Sequence, residues 1–350
     1  MLLPPTIEAI RAADQRIRPY ALRTPLIESA RLSELLGGRV LLKLETLQRV
    51  GAFKFRGAYN KISRIDKARH PGGVVAISSG NHAQGVADSA ALMGLPAVIV
   101  MPSDAPAMKI ERTRKLGADV VLYDREREDR AVIGERLRAE RDAVMVHPFD
   151  DPEIIAGQGT AGLEIVEQAT AMGVCPDLVL VPCSGGGLLS GVAIAINSGF
   201  PGCQIISAEP EGFDDFARSL DSGKRESNAR KSGSICDALM SETPGDITFA
   251  ACSRLAVRGV AVSEADVRAA VRHAFAELKL VVEPGGAVAF AALLSRKVPL
   301  NGRTAVVVLS GGNIDPVLFA EIVNGKVESL LTASDSPSGS RPEAAATHRG

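Results

Sequence analysis

The sequence predicts an α/β protein built on mostly parallel sheets, and three observations carry that prediction. Aliphatic runs of strand length recur along the chain. Longer amphipathic stretches separate them, as crossover helices between parallel strands require. Glycine-rich turns follow several of the runs, at the carboxyl ends where open α/β sheets bind ligands.

In chain order the strand-like runs are Val40–Leu44, Val74–Ile77, Ala97–Met101, Val120–Tyr123, Leu178–Pro182, Ile205–Ala208 and Thr304–Leu309. Each is short and rich in Val, Ile or Leu, the pattern of a strand buried on both faces. Between them, Asn81–Met93, Arg125–Arg141, Ile154–Met172, Glu264–Lys279 and Ala287–Ser295 read as helices. Two further helices are expected to start near Lys54 and near Leu188, directly after glycine-rich turns. Residues 332–350 hold no aliphatic side chain beyond alanine and are rich in Ser and Pro, so a disordered tail is expected over 331–350.

At 350 residues, with about 150 per domain as a guide, two domains are expected. Forty basic side chains against 41 acidic ones leave a formal charge of −1, and the aromatic set is ten Phe, three Tyr and no Trp. Neither a basic surface nor stacking platforms for nucleic acid are implied. The longest apolar run, Ala287–Leu294, falls far short of the roughly twenty residues of a membrane helix. No membrane partner is expected, and a cytoplasmic protein is. The five cysteines, Cys175, Cys183, Cys203, Cys236 and Cys252, are odd in number and never paired as Cys-x-x-Cys, which suits a reducing compartment.

Four turns carry chemistry. Cys183-Ser184-Gly185-Gly186-Gly187-Leu188 runs from a strand into a helix, and glycines there turn consecutive N–H groups toward an anion beside a helix N-terminus. No Gly-Lys-Ser/Thr follows, and the Gly-x-Gly-x-x-Gly spacing is met only weakly, so a nucleotide is poorly supported. Ser78-Ser79-Gly80-Asn81-His82 offers two hydroxyls, an amide and backbone donors; it reads as a carboxylate site or as a helix N-cap. Ser310-Gly311-Gly312-Asn313 puts a hydroxyl at a late strand end, where it also reads as an ordinary turn. In Phe53-Lys54-Phe55 a lysine lies between two aromatics. Taken alone it reads as a solvated surface lysine; desolvated, its neutral amine becomes a nucleophile. The coincidence of a Schiff-base amine, a phosphate cup, a carboxylate turn and a polar strand end describes a pyridoxal phosphate site.

At this point the chain resembles the serine/threonine dehydratase and serine racemase family, the fold-type II pyridoxal phosphate enzymes, from about Ile7 to Val323. The family's Ser-Phe-Lys-x-Arg-Gly-Ala motif stands here as Ala52-Phe53-Lys54-Phe55-Arg56-Gly57-Ala58, its Ser-Ser-Gly-Asn-His motif as Ser78 to His82, and its phosphate loop as Ser184 to Leu188. The resemblance implies Lys54 as Schiff-base lysine and Phe53 packed on the cofactor ring. It implies Asn81 at the phenolic oxygen, Ser184, Gly185, Gly186, Gly187 and Leu188 at the phosphate, Ser310 at the pyridine nitrogen and Glu283 beside the ring. The substrate carboxylate would meet Ser78, Ser79, Gly80, Asn81 and His82. It also implies a tryptophan synthase β-like fold of two open, mostly parallel α/β domains, a large one from 1–72 and 151–330 and a small inserted one from 73–150. A homodimer is implied as well.

What the resemblance implies chemically is β-elimination from a β-hydroxy L-amino acid such as threonine or serine, giving a 2-keto acid and ammonia. Lys54 would be the base at Cα, and Ser79 would bind the carboxylate or return a proton on the opposite face, giving racemisation. Members with a divalent cation would ligate it through Glu209, Asp215 and the carbonyl of Phe213, an oxygen set suited to Mg²⁺ or Ca²⁺, although a solvated acidic turn reads equally well. Arg130 matches a substrate-proximal arginine of serine racemase-like members, or is one more exposed arginine; facing the cleft, it would pair with the second carboxylate of 3-hydroxyaspartate. The chain departs from the family in Val50-Gly51-Ala52, which lacks two hydroxyls, and in Cys236-Asp237-Ala238, near the substrate side chain. A nicotinamide-dependent oxidoreductase and a non-catalytic descendant of the family are the alternatives.

Overall fold

The computed structural model describes residues 3–105 and 107–325. The expected tail lies outside the described residues. The chain begins with α1 (Ile7–Ile17), β1 (Leu26–Glu28), α2 (Ala30–Leu36), β2 (Arg39–Leu44) and α3 (Lys54–Ile62). It continues through β3 (Val74–Ile77), α4 (Asn81–Met93), β4 (Ala97–Pro102), α5 (Ala107–Lys115), β5 (Asp119–Tyr123), α6 (Arg130–Arg141) and β6 (Val144–Met145). Then follow α7 (Pro152–Ala171), β7 (Leu178–Pro182), α8 (Gly187–Gly199), β8 (Gln204–Pro210), α9 (Asp215–Ser222), α10 (Asp246–Arg254) and β9 (Arg258–Val262). The last elements are α11 (Glu264–Leu278), α12 (Pro284–Leu294), β10 (Thr304–Leu309) and α13 (Pro316–Asn324).

Two sheets result, one in the order β1-β2-β10-β7-β8-β9 and the other β5-β4-β3-β6. Every pairing is parallel except β1 with β2. The larger sheet is buried on both faces, as its aliphatic runs require. Val40, Leu42 and Leu44 pack with α12 on one face, while Leu41 turns to the side of α7 and α8. Helix α12 is buried almost all round, which its alanine-rich apolar sequence allows.

Helices α3, α7 and α8 approach at backbone distance. A Cβ on Gly157 would lie 2.6 Å from the Cα of Gly57, and one on Gly191 would lie 2.6 Å from the nitrogen of Gly159. This close contact fixes α3, which begins at Lys54, relative to α8, which begins at the glycine turn. Beside the contact lies a charged core. Lys43, on the Leu41 face of β2, donates to Glu164 Oε2 at 2.6 Å. Arg56 makes paired bonds to Glu45 at 2.8 Å and 2.8 Å and to Glu164 at 2.7 Å and 2.9 Å. Two cations and two carboxylates, all buried, balance one another.

The seven expected strands are present, with ends shifted by a few residues. The stretch read as a helix over Arg125–Arg141 is helical only from Arg130. Asp129 accepts from the N–H of Ala131 and starts the helix there, while the Glu128 carboxylate holds the N–H of Asp124 in the preceding turn. Strand β9 was not anticipated: Arg258 and Gly259 interrupt its apolar pattern, and it is an edge strand.

Candidate active site

The turns after β2, β3, β7 and β10 converge. Before Lys54 the chain reverses through Val50 and Gly51, both left-handed at φ 58° and 76°. For a β-branched residue such a φ is strained and needs support from its surroundings. The turn after β10 supplies it: Phe53 N–H donates to the Ser310 carbonyl at 3.1 Å and Gly312 N–H to the Gly51 carbonyl at 2.9 Å, with Ala52 bridged to Gly311. A Cβ on Gly311 would lie 2.1 Å from Glu283 Oε1, 3.2 Å from Ala52 Cβ and 3.2 Å from Asn81 Nδ2. Only glycine lets these three meet.

Lys54 is half-buried. Its Nζ donates to the Pro148 carbonyl at 2.7 Å and lies 5.2 Å from the centre of the Phe53 ring. Burial with no carboxylate partner lowers its pKa to about 8. The Pro148 loop is itself held, because His147 Nδ1 accepts from the N–H groups of Phe149 and Asp150 at 3.3 Å and 2.8 Å. Phe149 then packs on the glycine turn, 2.4 Å from where a Gly185 Cβ would lie. One loop thus touches both the amine and the phosphate-cup candidate.

In that cup Gly186 sits at φ 92° and precedes α8 with no side-chain cap, so first-turn amides are left for an anion. The Gly185 carbonyl accepts from Thr248 Oγ1 at 2.7 Å, and the Ser184 hydroxyl donates to Ser241 Oγ at 2.8 Å. The turn after β3 is similar. Gly80 precedes α4 with no side chain capping the helix, its own N–H donates to Ser78 Oγ at 3.2 Å, and among the described residues nothing lies within 4 Å of where its Cβ would be. Neither Ser79 nor Asn81 caps the helix. Donors and open space therefore coincide, as a carboxylate requires.

Asn81 Nδ2 donates to Glu283 Oε1 at 2.5 Å, and its Oδ1 accepts from Asn313 Nδ2 at 2.8 Å. Burial raises the pKa of Glu283 to about 7, with the charge of Asp237 adding to the effect. His82 Nε2 bonds to the Val146 carbonyl at 2.9 Å, and burial, then the charge of Lys54, pushes its pKa down to about 3. Its imidazole is neutral and turned to β6, which leaves its backbone N–H for a ligand.

Arg130 is exposed, and it and Arg125 line a cavity of about 30 Å³ together with Ser78, Ser79 and Tyr123. A larger cleft of about 320 Å³ lies between α1 and α7 and contains none of the candidate site residues.

Glu209 and Asp215 are buried at the end of β8 and the start of α9. The N–H groups of Phe216 and Ala217 donate to the two oxygens of Glu209 at 3.1 Å and 2.7 Å. Burial, then the charge of Asp215, raises the Glu209 pKa well above the carboxylate range, and burial raises that of Asp215 to about 6. Among the described residues Asp215 Oδ2 has no partner, whereas Asp214 pairs with Arg218 at 3.5 Å. Among the described residues no group of three or more His, Cys, Asp and Glu side chains is placed to hold a metal ion.

The sequence assigned no site role to Pro148, Phe149, Thr248 or Asn313. Asn313 ends the Ser-Gly-Gly-Asn turn and Pro148 follows His147 in a pair the family also carries; Phe149 and Thr248 act through packing and a backbone carbonyl and leave no motif.

The profile of the family described as "Pyridoxal-phosphate dependent enzyme" matches residues 17–311. The chain is 40% identical over 326 residues to an L-threo-3-hydroxyaspartate ammonia-lyase of Saccharomyces cerevisiae, covering 93% of this chain and 98% of that one. It is 42% identical over 319 residues to an L-threonine ammonia-lyase of Thermotoga maritima, covering 91% of this chain and 78% of that one. Among solved structures, maize serine racemase superposes with a TM-score of 0.85 at 37% identity, covering 91% of this chain and 96% of that one. The nicotinamide alternative falls away, and the fold-type II reading holds. With Lys54, the glycine cup and the Ser78–His82 turn brought together, the chain belongs to the pyridoxal-phosphate dependent enzymes, in the serine/threonine dehydratase and serine racemase branch.

Proposed function

We propose that this chain eliminates water from a β-hydroxy L-amino acid such as threonine or serine and releases a 2-keto acid and ammonia, with Lys54 anchoring the cofactor and moving the Cα proton. The observation that carries the reading is the Lys54 amine, desolvated to a pKa of about 8 where the four turns meet. Pyridoxal 5'-phosphate, when bound, supplies an electron sink for the pair left at Cα. The residues fit it. The uncapped amides at Gly187 and Leu188, with Ser184, Gly185 and Gly186, suit a phosphate, and Asn81 and Glu283 meet at the Gly311 turn, beside Ser310, with Phe53 next to Lys54, as the ring of the cofactor would need.

Neutral Lys54 would take the Cα proton as a general base. Ser78, Ser79, Gly80, Asn81 and the His82 amide hold the substrate carboxylate in the open turn. Ser79 binds the carboxylate or, if it faces Lys54 across the substrate, would return a proton and give racemisation. The enamine released after loss of the β-hydroxyl hydrolyses in water to the keto acid and ammonia. Lys54→Ala should abolish keto-acid formation while the melting temperature stays near that of the parent; turnover at the parent rate would defeat the assignment.

A second reading of the substrate is favoured by the cavity that joins Arg125 and Arg130 to Ser78 and Ser79. Arg125 is paired with Asp104 at 2.8 Å, and Arg130 beside the carboxylate turn suits a second carboxylate, as 3-hydroxyaspartate carries. The relatives named for that substrate support it.

For a divalent cation, Glu209, Asp215 and the Phe213 carbonyl are the proposed ligands. The Asp215 oxygen without a partner among the described residues, buried beside the Glu209 carboxylate, supports this reading. Mg²⁺ or Ca²⁺ should raise the melting temperature by mass action. We further propose that the two sheets belong to two domains divided near residues 72 and 151, and that the protein is a cytoplasmic homodimer. The five free thiols agree with the compartment. Gel filtration with light scattering tests the dimer.

A further inference from the structure

A continuous set of hydrogen bonds joins the start of α9 to the glycine turn after β7. At its centre is Asn228, in the irregular segment between α9 and α10. Its Nδ2 donates to Asp215 Oδ1 at 2.6 Å and to the Ser241 carbonyl at 2.9 Å, and its Oδ1 accepts from Arg218 Nη2 at 2.8 Å. Acceptors on one side and a guanidinium on the other fix which way the amide points. The backbone N–H of Asn228 also donates to the Glu242 carbonyl at 2.9 Å. From Ser241 the path continues: its N–H donates to Ser184 Oγ at 3.2 Å, and the Ser184 hydroxyl donates back to Ser241 Oγ at 2.8 Å. Ser184 opens the turn that presents the uncapped amides of α8.

We propose that Asn228 and Ser241 are positioning residues that couple a cation at Glu209 and Asp215 to the affinity of the phosphate cup at Ser184–Leu188. The inference rests on the cation reading above. The two oxygens of Asp215 divide the labour: Oδ1 is held by Asn228, and the partnerless Oδ2 is left for the cation. A cation on Oδ2 fixes the plane of the carboxylate. Asn228 then keeps its acceptor, Ser241 keeps its donor, and the Ser184 hydroxyl is held where the cup needs it. Without the cation nothing secures the second oxygen, and the segment over the cup loosens. Linkage makes the effect reciprocal, so cofactor and cation raise each other's affinity by one common factor.

The test is a thermodynamic cycle on the full chain. Pyridoxal 5'-phosphate is titrated by absorbance with Mg²⁺ or with chelator present, and Mg²⁺ is titrated by calorimetry with and without the cofactor. A common factor of about tenfold is expected, within the range of measured couplings. Asn228→Ala should bring it to within about twofold of unity, and Ser241→Ala, which removes the acceptor of the Ser184 hydroxyl but keeps both Ser241 backbone bonds, should reduce it at least twofold, while Mg²⁺ still raises both melting temperatures. Ser241→Ala leaves the Asp215 contact intact, so the question stays decidable if Asn228→Ala does not fold. Mg²⁺ without effect on the melting temperature of the parent would overturn the cation reading and this inference with it. Mg²⁺ that raises the melting temperature but not the cofactor affinity, or a factor that survives both substitutions, would overturn the coupling alone.

Discussion

Arg56→Met should be among the most damaging single substitutions outside the aliphatic core. The guanidinium is fully buried, forks onto both oxygens of Glu45 and both of Glu164, and donates to Thr160 Oγ1 at 3.1 Å. Against the cost of burial, its charge holds the Glu45 carboxyl below the usual range. Methionine fills similar space but leaves two buried carboxylates with Lys43 as the one cation beside them. Removing one partner of a buried pair costs about 3–5 kcal/mol. At about 2.1 cal/mol/K per residue, a chain of 350 residues has an unfolding entropy of about 0.7 kcal/mol/K, so the melting temperature should fall by about 4–7 °C. Differential scanning calorimetry of the parent, Arg56→Met and Arg23→Met reads it. Arg23 pairs with Glu167 at 2.6 Å, but both side chains are half exposed, and its loss should move the transition by less than about 1 °C. Equal small shifts for both variants would refute the view that the charged core secures α3.

Glu283→Gln should flatten the dependence of stability on pH. Because burial raises the pKa of Glu283 from 4.5 to about 7, its contribution is fully present below pH 4.5 and is lost as pH rises to 7. The loss is on the order of 3 kcal/mol, and the glutamine variant should gain on the parent between pH 5 and pH 8 in thermal melts. Gly186→Ala places a Cβ 2.3 Å from the Phe216 ring at φ 92°, so it should weaken cofactor binding at least tenfold by absorbance titration. Arg130→Ala should lower kcat/KM for L-threo-3-hydroxyaspartate at least tenfold more than for L-threonine; equal losses would return Arg130 to a plain surface role.

The sequence made the parallel sheets legible because buried strands are nearly pure Val, Ile and Leu, as Thr304–Leu309 illustrates. It also exposed the glycine turns, since few residues other than glycine accept φ 92° or tolerate the crowding at Gly311. Lys43 was less legible: it reads as the polar interruption of an otherwise aliphatic strand, and its partner Glu164 lies 121 residues away. Such long-range pairing leaves no local pattern. The same is true of Pro148, which meets Lys54 through its carbonyl, and of Asn228, whose role rests entirely on its neighbours. Helix α13 did carry a start signal in Asp315-Pro316, with the aspartate accepting from Val317 and Leu318, but its short apolar face gave no clear period.

The most direct test of the central assignment is to find which lysine carries the cofactor. The holoenzyme is reduced with borohydride, digested and mapped by mass spectrometry. The account predicts loss of the violet absorption band and a single pyridoxyl adduct on the peptide containing Lys54, with Lys43 unmodified because its ammonium is buried in ion pairs with Glu164. An adduct on any other lysine, or none at all while elimination activity persists, would contradict it.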